Sequence, residues 1–143
     1  MLTCNSSDDH KDWVDLVLNT TGIREIYGAQ RPSLSGADLH EIRLDRHATS
    51  ALIRCDLADY PANPPRKYSQ RGCNTVQIVL ALSEISSLSI TGWASTMSVD
   101  LAIEPGPDGF TLTCRAVPQL DITARWITLT KISAHRNALR GTG

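Results

Sequence analysis

Asn74-Thr-Val-Gln-Ile-Val-Leu-Ala-Leu-Ser-Glu-Ile-Ser-Ser-Leu-Ser-Ile-Thr-Gly-Trp93, followed after three residues by Met97-Ser-Val-Asp-Leu-Ala-Ile103, is the stretch that decides the fold. Three apolar runs of strand length follow one another, with short polar breaks and no helical period. Val76, Ile78, Leu80 and Leu82 fall on one face of an extended chain, as do Leu88 with Ile90, and Met97 with Val99, Leu101 and Ile103. Side chains alternate across a strand, so this spacing places them on one buried face. The opposite face carries Thr75, Gln77, Ser89, Thr91, Ser98 and Asp100. The pattern predicts an antiparallel sheet, apolar inside and hydroxyl-rich outside.

Working outward toward the N-terminus, Ser50 to Leu57 alternates in the same way, with Ala51, Ile53, Cys55 and Leu57 inward and Arg54 and Asp56 outward. Leu39 to Arg46 is its partner across a break at His47 and Ala48, a hairpin by spacing. His40 shares a phase with Ile42 and Leu44, which predicts a hydrogen-bonded interior histidine. Ala29 to Ala37 reads as a loop. Upstream, four aspartates (Asp8, Asp9, Asp12, Asp15) crowd a helical start, and Trp13, Leu16 and Val17 form its apolar stripe. This predicts a helix over 9–20 ended by Gly22, then a helical turn over 23–27 closed by Gly28. Trp13 and Tyr27 read as core anchors.

Toward the C-terminus, Pro105-Gly-Pro-Asp-Gly109 predicts a hairpin turn. Phe110, Leu112, Cys114 and Ala116 alternate inward, then Leu120, Ile122, Ala124 and Trp126. The apolar phase slips by one at Trp126-Ile127, the mark of a bulge or bend. Residues 58–73 contain three prolines and a glycine and read as one long irregular stretch. Arg66, Lys67 and Arg71 cluster there between Tyr60 and Tyr68.

These elements predict a mainly β fold: an antiparallel sandwich or a strongly curved sheet with one N-terminal helix packed on it. At 143 residues the chain is one domain, 1–143, with 1–8 and 136–143 as loose tails. A net charge of -1 argues against an electrostatic nucleic-acid binder. No apolar run reaches the roughly 18 residues of a membrane helix, and the N-terminus lacks a secretory pattern. The expected compartment is the cytoplasm, with neither nucleic acid nor membrane as partner. Cys4, Cys55, Cys73 and Cys114 lack the close pairing of zinc ligands. They read as small buried hydrophobes, with a Cys55–Cys73 disulfide unsupported in a reducing compartment.

No motif for catalysis, metal or cofactor binding stands out. His10, His40, His47 and His135 are scattered, and spacing gives no reason to join them. What remains is surface. Thr91, Gln77, Asp100 and their outward neighbours form a polar platform that suits protein recognition and reads equally as a solvated sheet face. Trp93, following Gly92 at a strand end, is the aromatic anchor such a face would use. The Tyr60–Arg71 segment is the second candidate surface, through Tyr60, Arg66, Lys67, Tyr68 and Arg71; its plainer reading is a crossover with its tyrosines tucked against the body.

Several segments in order resemble one family. They are Ile26-Tyr27-Gly28 with Pro32-Ser33-Leu34, then Leu39-His40-Glu41-Ile42-Arg43-Leu44, then Asp56-Leu57 with Pro64-Pro65-Arg66-Lys67-Tyr68, then Asn74-Thr75-Val76-Gln77 and Leu88-Ser89-Ile90-Thr91-Gly92-Trp93. The pattern resembles the immunity protein 50 family of bacterial polymorphic toxin systems, over about Trp13 to His135. Tyr68 departs from a tryptophan favoured after the Pro-Pro-basic run, and keeps an aromatic there. The resemblance implies a non-enzymatic protein that binds and neutralises a cognate toxin domain, and carries over no binding motif. Residues alone leave two other classes open. One is a β module binding a small ligand or carbohydrate in a concave pocket; the other is a small hydrolase with a dispersed site.

Overall fold

In the computed structural model, which describes residues 12–47, 49–94, 98–115 and 117–138, Val76, Ile78, Leu80 and Leu82 are all fully buried on one face. They belong to a single strand rather than the first of three. β3 runs unbroken from Thr75 to Thr91. Ser83-Glu84 does not interrupt it; the register against its neighbour shifts between Ile85 and Ser87, and Glu84 takes φ 55°. One extra residue is absorbed as a bulge, which bends a strand without ending it. Beyond the bulge Ile90 stays partly buried, whereas Leu88, expected inward, is exposed. Met97 lies outside the described residues.

The other strands are β1 (Ser35–Asp45), β2 (Ser50–Asp56), β4 (Ser98–Asp100), β5 (Ala102–Gly106), β6 (Gly109–Cys114) and β7 (Gln119–His135). They form one seven-stranded sheet in the order β4-β1-β2-β3-β7-β6-β5, with every pairing antiparallel. The sheet curls into a half-barrel. Of the two predicted architectures the strongly curved sheet is the one formed. β4 and β5 are separated in the chain by Leu101 alone, yet they occupy opposite edges of the sheet.

β1 begins at Ser35, inside the expected 29–37 loop, because Ser35, Ala37 and Asp38 pair with β4. The Pro105–Gly109 turn closes the β5–β6 hairpin as expected, with Gly106 opposite Gly109. The phase slip at Trp126 falls within β7, which continues through it; the bend is inside one sheet, and Trp126 is exposed beneath the Arg125 guanidinium. Ala116 lies outside the described residues, as does Ala48 in the β1–β2 turn.

Among the described residues three short helices add to the core: α1 (Trp13–Leu16), α2 (Thr21–Tyr27) and α3 (Arg66–Gln70). The helix expected over 9–20 is one turn long among the described residues. Asp12 caps it, its Oδ1 accepting from the Val14 N–H at 2.8 Å. It ends early because the sheet takes the chain back. The Leu18 N–H donates to the Ile127 carbonyl, and the Leu129 N–H donates to Leu18, on the side of β7 that β6 leaves unpaired. Gly22 therefore does not end a helix. It sits in the first turn of α2, where a Cβ would lie 2.8 Å from Ile132 Cδ1, so glycine lets α2 close on β7. Gly28 does cap α2, at φ 63°.

Residues 58–73, expected to be irregular throughout, contain α3, which buries Tyr68. Trp13, Ile23, Tyr27 and Tyr68 join the inward sheet residues in one apolar cluster, so both predicted core anchors are core. Residues 1–11, with Cys4, His10 and the start of the expected helix, and 139–143 are outside the described residues. Within the supposed C-terminal tail, the Asn137 N–H donates to Asn74 Oδ1 at 2.8 Å, and Asn74 Nδ2 donates to the Asn137 carbonyl at 3.0 Å. Cys55, Cys73 and Cys114 are free thiols.

Candidate functional site

Register brings together side chains that the sequence holds far apart. Asp38 stands opposite Asp56, Asp56 opposite Gln77, and Gln77 opposite Ser133, a row across β1, β2, β3 and β7 on the outer face. His135 lies opposite Thr75, one step along. Asp56 and Thr75, read from sequence as solvated, are fully buried. The cause for Asp56 is the cover its neighbours make. His40 Nε2 lies 2.9 Å from Asp56 Oδ2, Gln77 Nε2 donates to Oδ1 at 2.9 Å, and His135 Nε2 lies 3.2 Å from Oδ1.

His40 reaches this group through a bulge. The β1–β2 register shifts between Leu39 and Glu41, leaving His40 as the extra residue. A one-residue slip moves a side chain to the other face. Hence Ile42, opposite the buried Ile53, faces inward, while His40 stands on the outer face beside Asp56. The expected interior histidine is hydrogen-bonded, as read, but 36% exposed.

A carboxylate taken from water loses hydration and must regain it from donors. Burial pushes the Asp56 pKa up; the hydrogen bonds from His40, Gln77 and His135 outweigh it and hold the carboxyl below its ordinary value. Among the described residues no Lys or Arg pairs with Asp56; the titratable groups in contact with it are the two imidazoles. Asp38 Oδ2 comes within 3.6 Å of His40 Nε2. Asp38, His40 and Asp56 each offer a ligand atom within 4.8 Å of the others. Among the described residues these three form the cluster that could hold a metal ion.

The surface residues singled out from sequence fall into separate places. Trp93 is 53% exposed just beyond β3, and Thr91 is exposed opposite Gln119 of β7. Gln77 is committed to Asp56. Asp100 is exposed but engaged, accepting from Ser35 Oγ and the Gly36 N–H, both at 2.8 Å, which lowers its pKa. Arg66, Lys67 and Arg71 point to solvent around α3, whereas Tyr68 is in the core. Tyr60 packs against that core, and its buried hydroxyl has no hydrogen-bond partner among the described residues. The two tyrosines are thus tucked inward under a basic rim.

An open groove of about 880 Å³ runs between α1 and β5, lined by Trp13, Leu16, Leu101 and Ile103 with Asp12, Arg31 and Glu104. Its lining shares no residue with the Asp56 group. No helix of the described residues is long and apolar enough to cross a membrane.

Sequence reasoning missed Asp56 and His135. Both lie at strand ends in the outward phase, as does Gln77, so pairing strands β2, β3 and β7 in the right register would have joined them. The bulge at His40 leaves no trace in residue type.

No curated protein and no solved structure matches this chain. The model of one family, Immunity protein 50, matches residues 19–135. That span holds all seven strands, α2, α3 and the whole Asp56 group, and by it the chain belongs to the immunity protein 50 family.

Proposed function

We propose that this protein binds a cognate toxin domain stoichiometrically and neutralises it in the cytoplasm, without catalysis. The observation that carries this reading is the family match over residues 19–135. The surface best suited to the role surrounds Trp93. Its side chain is 53% exposed; Val117, 73% exposed, lies against the preceding Gly92, where a Cβ would be 3.1 Å from Val117 Cγ1. Exposed Ser87, Ser89 and Thr91 on β3 and Gln119 and Asp121 on β7 flank them. Short hydroxyl side chains cost little entropy to order, and a large aromatic supplies most of the contact energy. The basic rim of Arg66, Lys67 and Arg71 is the second surface available. A net charge of -1 favours no particular toxin chemistry.

The test begins with the reading frame next to the gene. Its C-terminal domain, if toxin-like, is co-expressed with this protein and the complex titrated by calorimetry. A one-to-one complex that abolishes the toxin's activity supports the reading. A metabolic neighbour with no toxin-like domain counts against it, and would turn attention to small ligands in the α1–β5 groove, screened by thermal shift.

A further inference from the structure

The geometry points to a divalent transition-metal site of the zinc or manganese class on the outer face of the sheet, with Asp38, His40 and Asp56 as its protein ligands. Four features converge there. The first is distance. His40 Nε2 lies 2.9 Å from Asp56 Oδ2 and 3.6 Å from Asp38 Oδ2. Ligands about 2.0–2.2 Å from a tetrahedral ion are roughly 3.3–3.5 Å apart, so these separations straddle the edge of such a polyhedron.

The second is charge. Asp38 and Asp56 are direct cross-strand partners on one face, an arrangement that like charges disfavour. Among the described residues no Lys or Arg pairs with either; the titratable groups against them are imidazoles. A divalent cation neutralises both carboxylates together, which a single proton on His40 does not. The third is support. Asp56 Oδ1 is held by Gln77 Nε2 at 2.9 Å and His135 Nε2 at 3.2 Å, so Oδ2 is free to exchange its hydrogen bond, to His40 Nε2 at 2.9 Å, for an ion between the two atoms. Carboxylates that bind metals are commonly oriented by such outer hydrogen bonds. The fourth is placement. A β-bulge, a device that re-aims side chains, turns His40 from the core to this face.

Asp38 is 46% exposed and His40 36% exposed, above an Asp56 side chain that is 1% exposed. The ion would therefore sit on a buried floor with its remaining positions open to water or to a donor from a bound partner. Mixed nitrogen and oxygen ligands suit zinc and manganese better than calcium.

The experiment uses the full chain, stripped with chelator and titrated with zinc by calorimetry, with cobalt absorption as a second readout. One equivalent should bind with a dissociation constant on the order of micromolar or tighter. Asp38→Asn and His40→Ala should each weaken binding by about tenfold or more, and His47→Ala, at the far end of the β1–β2 hairpin, should not. Asp38 is half-exposed, so its variant remains informative if His40→Ala disturbs the fold. Saturation only at millimolar zinc, or tight binding that Asp38→Asn and His40→Ala leave intact, would overturn the site.

Discussion

His135 reaches the Asp56 carboxylate, at 3.2 Å, across an intervening strand: β3 lies between β2 and β7, and the two residues are 79 positions apart in the chain. The contact ties three strands on the outer face. Asp56→Ala removes the acceptor shared by His40, Gln77 and His135 and should cost about 1–3 kcal/mol. Asp38→Ala, at a half-exposed position, should stay within about 0.5 kcal/mol. Urea denaturation of metal-free protein measures both. Equal losses would show that the three hydrogen bonds to buried Asp56 stabilise the fold no more than those groups' hydrogen bonds to water in the unfolded chain.

Trp13 serves the core in two ways. Its ring is buried, and its Nε1 donates to the Pro32 carbonyl at 2.8 Å, fastening α1 to the chain ahead of β1. Trp13→Phe keeps most of the volume and should cost about 1 kcal/mol for the lost bond and its orphaned carbonyl. Trp13→Ala should cost about 3–5 kcal/mol. A similar loss in both would assign the role to the hydrogen bond rather than to packing.

Gly109 and Gly28 both have positive φ, at 144° and 63°, but differ in surroundings. A Cβ at Gly109 would strike the Ala124 carbonyl oxygen and lie 2.7 Å from Arg125 Cα, both backbone atoms of β7; at Gly28 nothing lies within 4 Å. Gly28→Ala should therefore cost only the conformational strain, roughly 1–3 kcal/mol. Gly109→Ala adds overpacking of about 1–3 kcal/mol and should lower the melting temperature further. The reverse ranking would contradict the β6–β7 spacing.

Burial pushes the Cys55 thiol up to about 12. Thiolate is the reactive form, so at pH 8 Cys55 should resist maleimide in the folded protein, as should the equally buried Cys114. Of the three described cysteines, Cys73, partly exposed, should label first. Mass spectrometry of native and urea-unfolded samples reads the difference; native labelling of Cys55 would mean that β2 opens.

Trp93→Ala should change stability by less than about 0.5 kcal/mol, because half the side chain is already in water. If Trp93 anchors the toxin, the same change should weaken the complex by about 2 kcal/mol or more, roughly thirtyfold in the dissociation constant. Unaltered affinity would shift the interface to the Arg66–Arg71 rim.

Alternation made most of the sheet legible. It placed β2, the first half of β3 and β7 on the correct face, and turn chemistry located the β5–β6 hairpin. What it missed was set by pairings between distant segments. Leu18 leaves its helix because β7 has an open side, and no local signal near Leu18 announces that. The continuity of β3 through Ser83-Glu84 depends on β7 running alongside it. The same limit applied to chemistry. Period two assigned Asp56 to the outer face correctly, but its burial depends on His40, Gln77 and His135, from three other strands. The family resemblance reached further than the residues alone, since its motifs carry the order of these segments.

Leu101 sets the girth of the molecule. β4 and β5 are the two rims of the curled sheet, and this one buried residue, its N–H donated to the Leu34 carbonyl at 3.2 Å, is all the chain between them. The hoop is thus fastened by a covalent clasp rather than by a ladder of hydrogen bonds from rim to rim. Residues inserted at that point would widen the ring while leaving every strand pairing in place, and a cut there would unbuckle it.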